Sequence, residues 1–149
     1  MKQKPVFFYG LFMDPELLVA QGYYPIEHQI AQLNHYRLHL GERATLIPDQ
    51  NSSVWGSIMT LSQNELDKLY TAPTVKDYQP VSIICTSLTA ENIPSLTYTL
   101  PPDYTLIKPK STSYALQLID ICIKLSLPKY YSEHVYNIIS KIEDDNSIC

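Results

Sequence analysis

The sequence predicts an α+β fold: a curled, mostly antiparallel sheet with one short helix inserted and a helical pair packed at the end. Three observations carry this. Short apolar segments separated by Gly, Pro and Asn fill the first hundred residues. A helix signal, Ser62-Gln63-Asn64-Glu65, interrupts them once. The last third switches from a period of two to a helical period.

The first strand is Pro5-Val6-Phe7-Phe8-Tyr9, β-branched and aromatic. It runs through Tyr9-Gly10-Leu11-Phe12-Met13 into Asp14-Pro15-Glu16, which has the form of N-cap, N1 proline and first-turn acid. Gly22 stops that helix. A glycine turn between a strand end and a helix start directs backbone N–H groups outward, which suits a carboxylate or a phosphate.

From His28 to Leu40, Tyr36, Leu38 and Leu40 alternate with Arg37 and His39, as in a strand with one wet face. Gly41-Glu42-Arg43 is read as a turn into a short strand at Ala44-Thr45-Leu46-Ile47. Pro48-Asp49-Gln50-Asn51 is read as a hairpin loop, with Val54-Trp55-Gly56-Ser57-Ile58-Met59 returning beside it. Gly56 inside a strand implies a bulge or a close backbone approach, either of which helps a sheet curl.

The capping box starts a helix with Leu66, Leu69 and Tyr70 on its apolar side, ended by Pro73. Tyr78 to Leu88 follows as a strand, with Ile83-Ile84 implying burial on both faces for part of its length. Pro94 to Leu100 makes a last strand before Pro101-Pro102. Ser111-Thr112-Ser113 then caps a helix with Ala115, Leu118, Ile119 and Cys122 on one face. Leu127-Pro128 breaks it, and Val135, Ile138, Ile139 and Ile142 mark a final amphipathic helix before an acidic tail expected to fray.

The 149 residues suit one domain spanning 1–149, and 45% hydrophobic content excludes a largely disordered chain. A net charge of -4 without a basic cluster argues against nucleic acid and anionic membrane as partners and leaves a small molecule or protein as the default ligand. No apolar run is long enough to span a bilayer, and Met1-Lys2-Gln3-Lys4 does not begin a signal peptide. Cys85, Cys122 and Cys149 are far apart and odd in number, so neither disulfides nor a zinc site are expected. The expected compartment is a reducing cytoplasm.

Taken together, the glycine loop, Ala44-Thr45-Leu46, Val54-Trp55-Gly56, the capped helix, Tyr78 and the closing helices resemble the γ-glutamylcyclotransferase-like family throughout the chain. This family includes the γ-glutamylamine cyclotransferases and plant AIG2-like proteins. The resemblance implies a small β-barrel with flanking helices and a C-terminal helical pair. It also implies cyclisation of a γ-glutamyl amine or peptide to 5-oxoproline with release of the amine, without metal or cofactor. The alternative on the same fold is a noncatalytic protein that binds a γ-glutamyl compound or another carboxylate ligand.

In that reaction a carboxylate takes a proton from the glutamyl amine and returns one to the leaving nitrogen. The family places it as the glutamate of a Leu-Asp-x-x-Glu-Gly pattern just past the capped helix. Counted from Leu69, Tyr70 falls on the aspartate and Pro73 on the glutamate, so the usual acid is missing. Asp77, before Tyr78, is the first substitute, and Glu42, beside Arg43, the second. Their ordinary roles are a turn residue for Asp77 and a surface ion pair for Glu42. The expected substrate-binding set is Tyr9, Gly10, Leu11, Phe12, Met13 and Tyr78.

Overall fold

The computed structural model describes residues 3–40, 44–71, 76–101 and 112–147. Five strands form a closed barrel: β1 (Gln3–Phe8), β2 (Ile26–Leu40), β3 (Ala44–Ser62), β4 (Gln79–Ser87) and β5 (Asn92–Thr99). Around the barrel the order is β1-β3-β2-β4-β5, antiparallel except where β5 meets β1 in parallel at Val6 and Leu96. Helices α1 (Pro15–Ala20), α2 (Gln63–Leu69), α3 (Thr112–Lys124) and α4 (Lys129–Ser147) complete the fold. No helix among the described residues is long and apolar enough to cross a membrane.

The segment after β1 behaves as its sequence dictates. Leu11–Met13 forms one 3₁₀ turn, and Asp14 then caps α1 by accepting from the Glu16 N–H at 3.1 Å, with Pro15 in the first position. Gly22, at φ +92°, ends α1, while the Tyr23 N–H reaches back to the Leu18 carbonyl at 3.0 Å. Lys124, in the last turn of α3, bonds the Asp14 carboxylate at 2.8 Å and also pairs with Glu16.

The hairpin expected at Pro48–Asn51 is not there. β2 and β3 pair directly from Leu40 opposite Ala44, and β3 continues through Pro48 to Ser62 as one strand of 19 residues. The turn-rich stretch forms an enlarged bulge instead. Residues 49–52 of β3 stand against the single residue His35, between the pairs Tyr36–Pro48 and Asn34–Ser53. Asp49 closes the bulge locally by accepting from the Asn51 N–H at 3.0 Å and the Ser52 hydroxyl at 2.9 Å, and His35 answers with φ 71°. Asx-type side-chain bonds satisfy the backbone equally well in a bulge or a reversal, so composition does not choose between them.

Gly56 marks a close approach. A Cβ there would lie 2.2 Å from the Phe8 carbonyl oxygen and 3.0 Å from the Phe7 ring. β4 has one buried face, with Ile83 and Cys85 inside and Ile84 62% exposed, which corrects the expectation of two-sided burial. The interior fills with Val6, Phe7, Leu33, Val54 and Ile58, and α3 adds Ala115, Leu118 and Cys122 to the same core. Ile119, expected on that face, packs only partly buried against it. Ser126, at φ 59°, and the bond from the Leu127 N–H to the Cys122 carbonyl end α3. α4 carries the acidic segment on to Ser147, so the helix extends through residues expected to fray. Val135 is fully buried, and the side chains of Ile139 and Ile142 lie outside the described residues.

α2 begins with the complete capping box, Ser62 accepting from the Glu65 N–H and Glu65 from the Ser62 N–H. Glu65 also accepts from the Tyr24 N–H at 2.8 Å, tying the loop after α1 to α2. Burial pushes the Glu65 carboxyl upward, but the bonds from the Tyr24 and Ser62 N–H groups and the Ser62 hydroxyl outweigh it and hold it below its ordinary value. A depressed folded value makes its contribution present above the unfolded pKa and lost as pH falls through the folded one. Glu65→Gln is therefore expected to lower stability at neutral pH by about 1 kcal/mol. The variant should also flatten the fall in urea midpoint below roughly pH 5, which acid titration of both proteins measures.

Candidate active site

The end of β1 and the loop after it open onto a cavity of about 470 Å³. Tyr9, Gly10, Leu11 and Phe12 line it, as does Tyr78. Met13 does not. Its side chain is fully buried in the core and its carbonyl accepts from the Ser57 hydroxyl at 2.8 Å, so the loop's share of the wall ends at Phe12.

Asp77 is half-buried next to Tyr78, and the cavity wall takes Tyr78 but not Asp77. Glu42 and Pro73 lie outside the described residues. The helix whose end was expected at Pro73 stops at Leu69, with Tyr70 as its C-cap. Leu66 and Leu69 point into the core, and the following residue, Tyr70, is delivered to the cavity. The family's Leu-Asp-x-x-Glu pattern has a second register here, Leu66-Asp67-Lys68-Leu69-Tyr70, which keeps its Leu-Asp pair intact. In that register the glutamate's place is held by a tyrosine facing the cavity.

Sequence reasoning missed most of what surrounds Tyr70. Tyr98 of β5 stacks on it with ring centroids 3.7 Å apart and planes 12° from parallel, and Tyr78 stands tilted 6.4 Å away. Tyr114 of α3 also lines the cavity, and a Cβ on Gly10 would sit 2.9 Å from its hydroxyl oxygen. Gly10 thus leaves room for the end of the Tyr114 side chain, which comes from the far end of the chain and which no local pattern records. Tyr114 and Gln117, one helical turn apart, both reach the wall.

The hydroxyls are largely engaged with backbone. Tyr9 donates to the Tyr98 carbonyl at 2.6 Å, and Tyr78 donates to the Ala44 carbonyl. The Leu11 backbone bonds the Tyr114 hydroxyl, opposing the burial that pushes its pKa up to about 12. Burial pushes Tyr70 well above the ordinary phenol value, and the neighbouring Tyr98 and Tyr78 add to this. Tyr9 is raised by burial in the same way, and Tyr98 by burial and the charge of Asp67. Phenols so placed stay neutral across the physiological range, so they exchange hydrogen bonds but do not take a proton from an ammonium.

Residues 6–116 match the family model described as "Gamma-glutamyl cyclotransferase, AIG2-like". The chain belongs to this family. Solved structures agree at the level of fold. A protein titled "Gamma-glutamyl cyclotransferase" superposes with a TM-score of 0.72 at 16% identity, over 94% of this chain and 99% of its own. An uncharacterised protein from Homo sapiens gives 0.74 at 17% identity, over 91% and 88%. A yeast γ-glutamyl cyclotransferase specific to glutathione gives 0.64 at 10%, over 97% of each chain. No curated protein sequence matches the chain.

Within this cyclotransferase family member, His28, Cys85 and Cys122 serve the structure. His28 shares a 3.0 Å bond with Ser57, whose proton is directed to the Met13 carbonyl. Cys85 and Cys122 are buried free thiols pushed up to about 12 by desolvation, as for inert core cysteines. Among the described residues no group of three potential metal ligands occurs.

Proposed function

We propose that this family member binds a γ-glutamyl compound or another small carboxylate ligand in the tyrosine-lined cavity and does not cyclise it. The observation that carries the reading is Tyr70, a cavity-lining phenol held neutral where the register that keeps Leu66-Asp67 has the family's glutamate. Cyclisation needs a group that accepts a proton from the glutamyl ammonium near neutral pH. A ligand carboxylate meets the backbone at Gly10 to Phe12, in competition with Tyr114 for Leu11. The buried free thiols suit a reducing cytoplasm.

The position of Asp77 beside the wall residue Tyr78 favours a second reading, a cyclotransferase with a relocated acid. One experiment separates the two. Wild-type protein is offered γ-glutamyl amino acids, glutathione and γ-glutamyl-lysine, with thermal shift recording binding and 5-oxoproline recording turnover. Stabilisation without 5-oxoproline is expected. Release by wild type but not by Asp77→Asn would establish the second reading, and absence of both signals would remove the binding role.

A further inference from the structure

The cavity's described wall has an unusual chemical bias. It presents five tyrosines, Tyr9, Tyr70, Tyr78, Tyr98 and Tyr114, and no Lys, Arg, His, Asp or Glu among its described residues. Because the hydroxyls of Tyr9, Tyr78 and Tyr114 are engaged by backbone, much of what these residues offer a ligand is ring surface. The rings are not one flat stack: Tyr78 lies 56° from the plane of Tyr70, while Tyr98 covers Tyr70 at 12°. Electron-rich faces set at an angle around a partly open cavity attract a cation through their quadrupoles. Asp67, close enough for its charge to reach Tyr98, adds a negative field from outside the wall.

We infer that the cavity is an aromatic cage for an alkylated ammonium, and that its ligand is a betaine-like zwitterion. A primary ammonium has three N–H bonds, each needing an acceptor once water has left; the described wall offers neutral acceptors such as the Gln21 and Gln117 amides but no carboxylate to balance the charge. A trialkylammonium has no N–H to satisfy and spreads its charge over methyl groups that pack on rings as apolar surface. A cavity of about 470 Å³ accommodates that head and a short chain. The inference rests on the binding reading above, which supplies the place for the ligand's carboxylate at Gly10 to Phe12.

The test compares cations with neutral isosteres of the same shape. Titration calorimetry of the full chain uses γ-butyrobetaine against its tert-butyl carbon isostere, and choline against its tert-butyl alcohol isostere, with γ-glutamyl amino acids as a reference arm. Each cation is expected to bind at least about tenfold more tightly than its isostere. Tyr98→Leu, which keeps apolar bulk but removes the ring, should abolish that preference; Tyr78→Phe, which keeps the ring, should retain it in protein shown to be folded by circular dichroism. Equal binding of cation and isostere overturns the cage and leaves the binding reading intact. Binding of γ-glutamyl compounds alone does the same. Binding of nothing overturns both.

Discussion

Gly56→Ala is expected to lower the melting temperature by roughly 10 °C, the shift for a loss of about 3 kcal/mol in a domain of this size. The added methyl would lie 2.2 Å from the Phe8 carbonyl oxygen, which belongs to the backbone of the adjoining strand and cannot rotate away. The Phe7 ring, 3.0 Å distant, is fully buried and closes the other escape. Relief therefore requires β1 and β3 to separate where Phe8 faces Ser57. Gly22→Ala provides the contrast. Its φ of +92° makes alanine strained, but nothing lies within 4 Å of the new atom, so about 1 kcal/mol is expected. Differential scanning calorimetry of both variants measures the difference; equal melting temperatures would show that the contact at Gly56 yields at little cost.

Tyr70→Glu restores the family's residue in the register that keeps Leu66-Asp67, and its first effect should be on stability. A carboxylate at this position loses water and stands among the rings of Tyr98 and Tyr78, so burial raises its pKa above the unfolded value. A raised folded value in an acid destabilises above the unfolded pKa and ceases to do so when pH drops below it. The variant is thus expected to be about 3 kcal/mol less stable than Tyr70→Gln at pH 7 and to converge on it near pH 4. Urea midpoints of both variants across this range measure the effect. Parallel curves at all pH values would mean that the carboxylate finds solvent or a partner. The same protein is the natural one in which to look for 5-oxoproline, since it carries the proton acceptor that Tyr70 is not.

What could be read from the sequence was what neighbouring residues decide. Asp14-Pro15, Gly22 and Ser62–Glu65 are local devices, and each caps or ends the helix it was expected to. Gly56 signalled the close approach because only a missing Cβ permits one. Where two structures satisfy the same local chemistry, the reading failed. Asp49, Asn51 and Ser52 complete their bonds within a bulge as readily as in a hairpin. Ile83-Ile84 reads as doubly buried until the barrel assigns one residue inside and the other out. The cavity wall was legible on the β1 side, through Tyr9 and the glycine loop. Tyr70, Tyr98 and Tyr114 come from a helix end, a strand and a distant helix, and only closure of the barrel brings them together.

The seam between β5 and β1 has a consequence for how the molecule breathes. It is registered at one residue pair, Val6 with Leu96, whereas the β2–β3 ladder extends from Ile26 to Leu40. Two side chains fasten it in place of a ladder: Thr97 donates to the Phe7 carbonyl at 2.9 Å and Tyr9 to the Tyr98 carbonyl at 2.6 Å. Amide protons along this seam should exchange first and those between β2 and β3 last. Because Tyr9 and Tyr98 also belong to the cavity wall, this seam and the cavity share a border. A ligand that fills the cavity would slow exchange along that border, reporting occupancy from the backbone itself.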